Sequence, residues 1–110
     1  ICGDVVLKSA AAGIRDTIRT YDIVGRIGGE EFLIISPGVP MEEAISLAER
    51  IRRLISELEI EQGEQMIGVT VSVGVTTLEA DDTGVVEMMM RADRALYMAK
   101  EQGRNRVVAL

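Results

Sequence analysis

Residues Arg26 to Ile35 read RIGGEEFLII, setting two glycines and two adjacent carboxylates between apolar runs. Asp22 to Ile27 and Phe32 to Ile35 are rich in strand-forming residues, and the Gly28-Gly29 pair is suited to the positive φ angles of a two-residue hairpin. This stretch is predicted to be a β-hairpin with Glu30 and Glu31 at its tip. Two glutamates on a solvated turn would account for the pattern, and so would carboxylates that hold a ligand.

Outward from the hairpin, Val6, Leu7, Ala10, Ala11, Ile14 and Ile18 recur at helical spacing, which predicts an amphipathic helix over Asp4–Arg19. After the turn from Ser36 to Pro40, Pro40 as first helical residue and Glu42 and Glu43 in the first turn start a second helix. Its apolar stripe is Ala44, Leu47, Ile51, Leu54, Ile55 and Leu58. Ile67, Val69, Val71, Val73 and Val75 alternate with small residues, the period of a strand with one face in the core. Asp82 or Thr83 can cap a third helix carrying Val86, Met89, Ala92, Leu96 and Ala99 and stopped by Gly103, before a last strand over Val107–Leu110. The order helix, hairpin, helix, strand, helix, strand suggests an antiparallel α+β sheet covered by helices. With neither repeat nor interdomain linker, residues 1–110 read as a single domain.

Composition narrows the chemistry. Cys2 is the only cysteine and histidine is absent, which removes intramolecular disulfides, Cys/His zinc sites and histidine acid–base catalysis. A net charge of −6 argues against nucleic acid as a partner, though a local cluster of Arg and Lys can hold a phosphorylated small molecule. No apolar run approaches the roughly 20 residues that cross a bilayer, and no signal-peptide pattern opens the chain. A cytoplasmic domain without membrane contact is expected, compatible with a membrane-anchored parent protein. Cys2 and Tyr97 read as inert and packing side chains, and Met88-Met89-Met90 as core plus helix surface.

Three segments in order resemble the GGDEF domain family, which includes the diguanylate cyclases. Gly28-Gly29-Glu30-Glu31-Phe32 is the GGEEF form of its signature, and Val69–Val75, VTVSVGV, is similar to an internal strand. Arg91–Val108, RADRALYMAKEQGRNRVV, resembles its C-terminal signature. The likeness implies a ferredoxin-like, nucleotidyl-cyclase palm sheet with covering helices. It also implies a bacterial signalling transferase that joins two GTP into cyclic di-GMP with loss of two pyrophosphates, working as a homodimer under an upstream sensory or receiver domain. The family's first strand, with an aspartate that shares the metals, has no counterpart in the 110 residues, so the chain is expected to be an N-terminally truncated domain, inactive alone.

The resemblance implies residue roles, each with a plainer alternative. Glu30 matches the metal ligand and proton acceptor and Glu31 its acidic partner, with Mg²⁺, two per active site, or Mn²⁺ as cofactor. Gly28 and Gly29 would let the triphosphate approach the backbone. Asp4 matches an aspartate that accepts from guanine N1–H and N2–H, or is a helix cap. Lys100 and Arg104, four apart and on one face if the helix persists, match triphosphate contacts, or are charges at a helix C-terminus. Asn105 shapes the turn. Arg19 and Asp22 form the RxxD pattern of an inhibitory cyclic di-GMP site, with Arg50 as a further contact, or they are a helix-end charge, a turn residue and a solvated helix face. Two other functions compete with the enzyme: a silent module that senses cyclic di-GMP or GTP, and an interaction domain with no nucleotide role.

Overall fold

The computed structural model describes residues 2–110, with side chains from Gly3 onward; the reading of Cys2 as inert falls outside that range. Helix α1 (Cys2–Thr17) leads into the hairpin β1 (Ile23–Gly28) and β2 (Glu31–Ile35), then helix α2 (Met41–Ser56). A short second hairpin, β3 (Ile60–Gln62) and β4 (Gln65–Ile67), precedes β5 (Val73–Val75), helix α3 (Val85–Glu101) and β6 (Val107–Ala109).

The core forms where two amphipathic helices cross. Ala10 and Ile14 of α1 pack against Leu47, Ile51 and Ile55 of α2, and Val24, Phe32 and Ile34 of the first hairpin close over them. Gly13 makes the crossing close, since a Cβ there would stand 2.7 Å from Leu54 Cδ2. The second packing unit is a crossover: β5 and β6 are parallel, Val73 opposite Val107 and Val75 opposite Ala109, with α3 joining them. A helix can lie directly on β5 because Gly74 has no side chain; a Cβ there would run into the backbone of Ala92 and Leu96. Ala95 and Ala99 of the same helix are fully buried.

Several expectations need correction. The antiparallel sheet is three two-stranded sheets, of which β5–β6 is parallel. The strand over Ile67–Val75 is divided: Ile67 ends β4, and ladder pairing resumes only at Val73. The alternation survives in the packing, because Val69 and Val71 still turn toward the core. The β3–β4 hairpin was not foreseen; its turn is made by Gly63 at φ +63°.

Helix boundaries and faces also differ. Pro40 is the residue before α2, extended at φ −70° and ψ 162°, so Met41 is the first helical residue. Neither Asp82 nor Thr83 caps α3, whose N-cap is Gly84. Asp82 instead binds Arg91, and Thr83 bonds Glu87 through its backbone N–H. The expected α3 stripe holds in its second half, where Ala92, Leu96 and Ala99 turn inward with fully buried Ala95, and fails in its first turns, where Val86 (68% exposed) and Met89 (40%) are exposed; Tyr97 (64%), expected to pack, is exposed too.

Candidate functional site

The hairpin tip presents both glutamates, with a different turn from the one expected. Gly28 pairs with Glu31, leaving Gly29 and Glu30 as the turn, and neither glycine has a positive φ. The ladder register shifts between Arg26 and Gly28, an irregularity of the kind that bends a strand. Arg26 fastens the tip by donating from Nε to the Gly29 carbonyl at 2.8 Å. A Cβ at Gly28 or Gly29 would meet nothing within 4 Å, so nothing in the fold itself requires glycine at either place.

Glu30 is exposed, whereas half-buried Glu31 lies 3.8 Å from Lys100 Nζ near the end of α3. The fold thus joins the first and third signature segments through an acid and a base almost seventy residues apart in sequence. Arg104 does not continue the Lys100 face. The helix ends at Glu101, and Gly103, Arg104 and Asn105 follow at φ +121°, +65° and +46°. Asn105 does shape this turn, and its side-chain oxygen also accepts from Arg52 of α2 at 3.0 Å.

Asp4 sits in the first turn of α1, 3.4 Å from Lys8, and does not precede the helix as a cap. Both line a cleft of about 350 Å³ between α1 and the hairpin, with Leu7, Arg15, Arg26 and Phe32. Phe32 therefore serves the core on one side and the cleft on the other.

Arg19 and Asp22 are joined to each other. The Asp22 carboxylate, with no exposed side-chain surface, accepts from Arg19 Nη2 at 2.8 Å, from Nε at 3.1 Å and from the Arg19 backbone N–H at 2.9 Å. The Arg19 guanidinium holds the Asp22 carboxyl below the usual carboxylate range. That guanidinium also lies over the Tyr21 ring, 4.3 Å from its centroid, and donates to the Pro37 carbonyl at 3.0 Å. On its outer side Arg19 shares a cavity of about 230 Å³ with Arg50, Glu43 and Ser46. Arg19 and Arg50 are therefore brought together, while Asp22 stands behind them.

Two side chains with structural weight were not singled out from the sequence. Arg91 gathers the 76–82 loop, donating to Thr76 Oγ1 at 2.6 Å, to the Thr77 carbonyl at 2.7 Å and to Asp82 at 2.7 Å. Arg52 links α2 to the turn after α3. Its spacing from Glu49 marks a helical ion pair, but no sequence signal reveals its bond to Asn105.

Among the described residues no group of three or more His, Cys, Asp or Glu gathers that could hold a metal. The tip carboxylates therefore do not make a self-contained metal cage. They do suit a hard cation that arrives on a polyphosphate, since Mg²⁺ is commonly held by one or two carboxylates plus phosphate oxygens.

The fold and this arrangement define the class: a cyclase-palm α+β domain whose hairpin tip carries adjacent acids beside a basic helix end. The family model described as diguanylate cyclase, GGDEF domain, matches residues 1–106, and the chain belongs to this GGDEF family. It is 39% identical over 105 residues to diguanylate cyclase A of Treponema denticola, covering 96% of this chain and 28% of that protein. It is 37% identical over 108 residues to the response regulator PleD of Caulobacter vibrioides, covering 96% and 24%. The chain thus spans about a quarter of the length of these relatives. Among solved structures, the active GGEEF domain of a Vibrio cholerae diguanylate cyclase superposes with a TM-score of 0.86 at 35% identity, over 96% of this chain and 67% of that one. The GGDEF domain of DgcB from Caulobacter crescentus, in complex with c-di-GMP, gives 0.91 at 32% identity, over 98% and 64%. No helix among the described residues is long and apolar enough to cross a membrane.

Proposed function

We propose that this chain carries the catalytic hairpin of a diguanylate cyclase, which condenses two GTP into cyclic di-GMP within a homodimer. The observation that carries the reading is the GGEEF tip itself, with Glu31 3.8 Å from Lys100 and open space over Gly28 and Gly29. Each subunit holds one GTP. Asp4 accepts from the guanine edge in the α1 cleft, and Lys100 with Arg104 takes the β- and γ-phosphates. Releasing Lys100 from Glu31 accompanies phosphate binding, because one ammonium cannot serve both fully.

The reaction is two in-line displacements. In each, the 3′-oxygen of one GTP bonds to the α-phosphorus of the other, the bond from that phosphorus to the bridging oxygen breaks, and pyrophosphate leaves. Glu30 takes the hydroxyl proton. Glu30 would hold Mg²⁺ arriving with the nucleotide, and that cation would supply neutralisation of the charge developing on the α-phosphate. The tip contributes too few ligands for two cations by itself, so the 110 residues alone are expected to turn over poorly.

The cavity shared by Arg19 and Arg50 supports a second site, for the product. Two guanidinium groups suit a cyclic dinucleotide's phosphates and guanine O6/N7 edges. Asp22 orients Arg19 there, and it contacts guanine only if their mutual bonds open.

The test uses the parent protein that contains this domain, incubated with GTP and Mg²⁺ and assayed for cyclic di-GMP. Product from the wild type, none from Glu30→Ala, and none after chelation of the divalent cation are expected. A folded wild type that binds GTP or cyclic di-GMP without turnover would replace the enzyme by the sensor reading.

A further inference from the structure

The turn after α3 is unusual in its backbone. Gly103, Arg104 and Asn105 follow one another with positive φ, a region that glycine and asparagine tolerate and the arginine side chain disfavours. Such strain persists only where surrounding bonds over-determine it, and it concentrates where a side chain must be aimed. Four bonds hold this turn, the longest from Gly103 N–H to the Lys100 carbonyl at 3.4 Å. Arg104 N–H donates to the Ala99 carbonyl at 3.0 Å, and Arg106 Nε donates to the Arg104 carbonyl at 3.1 Å. The fourth comes from another element: Arg52 Nη1 donates to Asn105 Oδ1 at 3.0 Å across 53 residues of sequence.

Arg52 is itself prepared for this bond. Glu49, one turn earlier on α2, accepts from its Nε at 3.3 Å and from its Nη2 at 3.1 Å. The fork fixes the guanidinium plane and leaves Nη1 to reach Asn105. Beyond the turn the segment is next fixed where the Arg106 carbonyl accepts from Val73 N–H at 2.9 Å and β6 begins, so the bond from Arg52 is the tie from α2 to the left-handed residues themselves.

We propose that Arg52 is a positioning residue: through Asn105 it holds the left-handed turn, so that Arg104 presents its cation to the same polyphosphate as Lys100. This rests on the reading of Lys100 and Arg104 as phosphate contacts. The bond from α2 restores what the end of the helix removes, a fixed relation between two cations that no longer share a helical face.

The test compares Arg52→Gln, Asn105→Gly and Asn105→Asp in the parent protein, reading KM for GTP, kcat and Tm. Glycine at 105 keeps the backbone freedom and loses the acceptor, whereas aspartate keeps the acceptor and tolerates the left-handed region. Arg52→Gln and Asn105→Gly should raise KM about tenfold with kcat within about twofold, and Asn105→Asp should stay near the wild type. An unchanged KM in Asn105→Gly, or a fall in kcat and Tm with no rise in KM, overturns the proposal. If Arg52→Gln does not fold, the two variants at position 105 decide. Should the wild type make no cyclic di-GMP, the functional reading fails separately, and amide exchange at Arg104 together with GTP binding tests the positioning. Faster exchange and weaker binding in Asn105→Gly support it; no change in either refutes it.

Discussion

At the scale of single residues, two charged pairs fasten loops, Arg19 with Asp22 and Arg91 with Asp82. Asp82 is held down to about 2 from its ordinary 3.8, first by hydrogen bonds from Arg91 and then by the Glu79 backbone N–H. A carboxylate whose folded value lies below its unfolded value stabilises fully above the unfolded value and loses that contribution as pH falls through the folded one. The window here runs from about pH 4 to about pH 2. Denaturant unfolding of the wild type should show stability falling across that window, with a smaller fall in Asp82→Asn. Asp22, whose carboxyl is also lowered by Arg19, keeps part of the acid sensitivity in that variant. Equal pH slopes in the two proteins would show that Arg91 does not use Asp82 as its partner. The carboxylates were visible in the sequence, but which of them are paired was not. Asp82 was read as a cap and Arg91 as part of a signature, because a loop-to-helix contact has no fixed spacing.

At the scale of elements, a glycine in a strand and a glycine in a hairpin turn do opposite work. Gly74 is fixed by the protein: a side chain in β5 meets the Ala92 oxygen and Leu96 nitrogen, and Leu96 Cα at 2.9 Å, none of which is a flexible end. Gly74→Ala should therefore push α3 off the sheet and cost about 3 kcal/mol or more, measured by denaturant unfolding. Gly29 faces open space and has no positive φ. Gly29→Ala should change stability by no more than about 0.5 kcal/mol, and any large loss of GTP affinity in it belongs to the ligand. Loss of stability in both variants would remove that distinction. The helical stripes of α1 and α2 were legible because each packs on one broad apolar face. The stripe of α3 was legible over Ala92, Leu96 and Ala99, where the helix backbone lies on Gly74, and not at Val86 and Met89, which are exposed. The strand over Ile67–Val75 was legible as a pattern of burial and not as a ladder, since alternation reports which side chains face the core and says nothing of hydrogen-bonded neighbours.

At the scale of the whole molecule, the proposed reaction requires two copies, because each GTP supplies the nucleophile for the other. Specific activity of the parent protein should fall on dilution, and adding an excess of Glu30→Ala protein should depress wild-type turnover by forming mixed dimers. Activity proportional to concentration, with no effect of the variant, would mean that one chain carries the whole reaction. The net charge of −6 coexists with local cations: Lys8, beside Asp4, lines the α1 cleft with Arg15 and Arg26, and Lys100 stands by the tip beside Glu31. An acidic protein can in this way hold a polyanion.

The order of the linear signals determined much by itself. Amphipathic periods placed the three helices, the RIGGEEFLII stretch placed the first hairpin, and the three signature segments placed the chain in its family. These are local quantities, set by residues within a turn or two of one another. The tertiary structure decided the rest: that Glu31 meets Lys100, that Arg19 shares a cavity with Arg50 yet spends its fork on Asp22, and that Arg52 holds the turn carrying Arg104. Each joins groups whose approach depends on how helices cross and where backbones touch. Their separation in sequence carries no period from which that approach can be read.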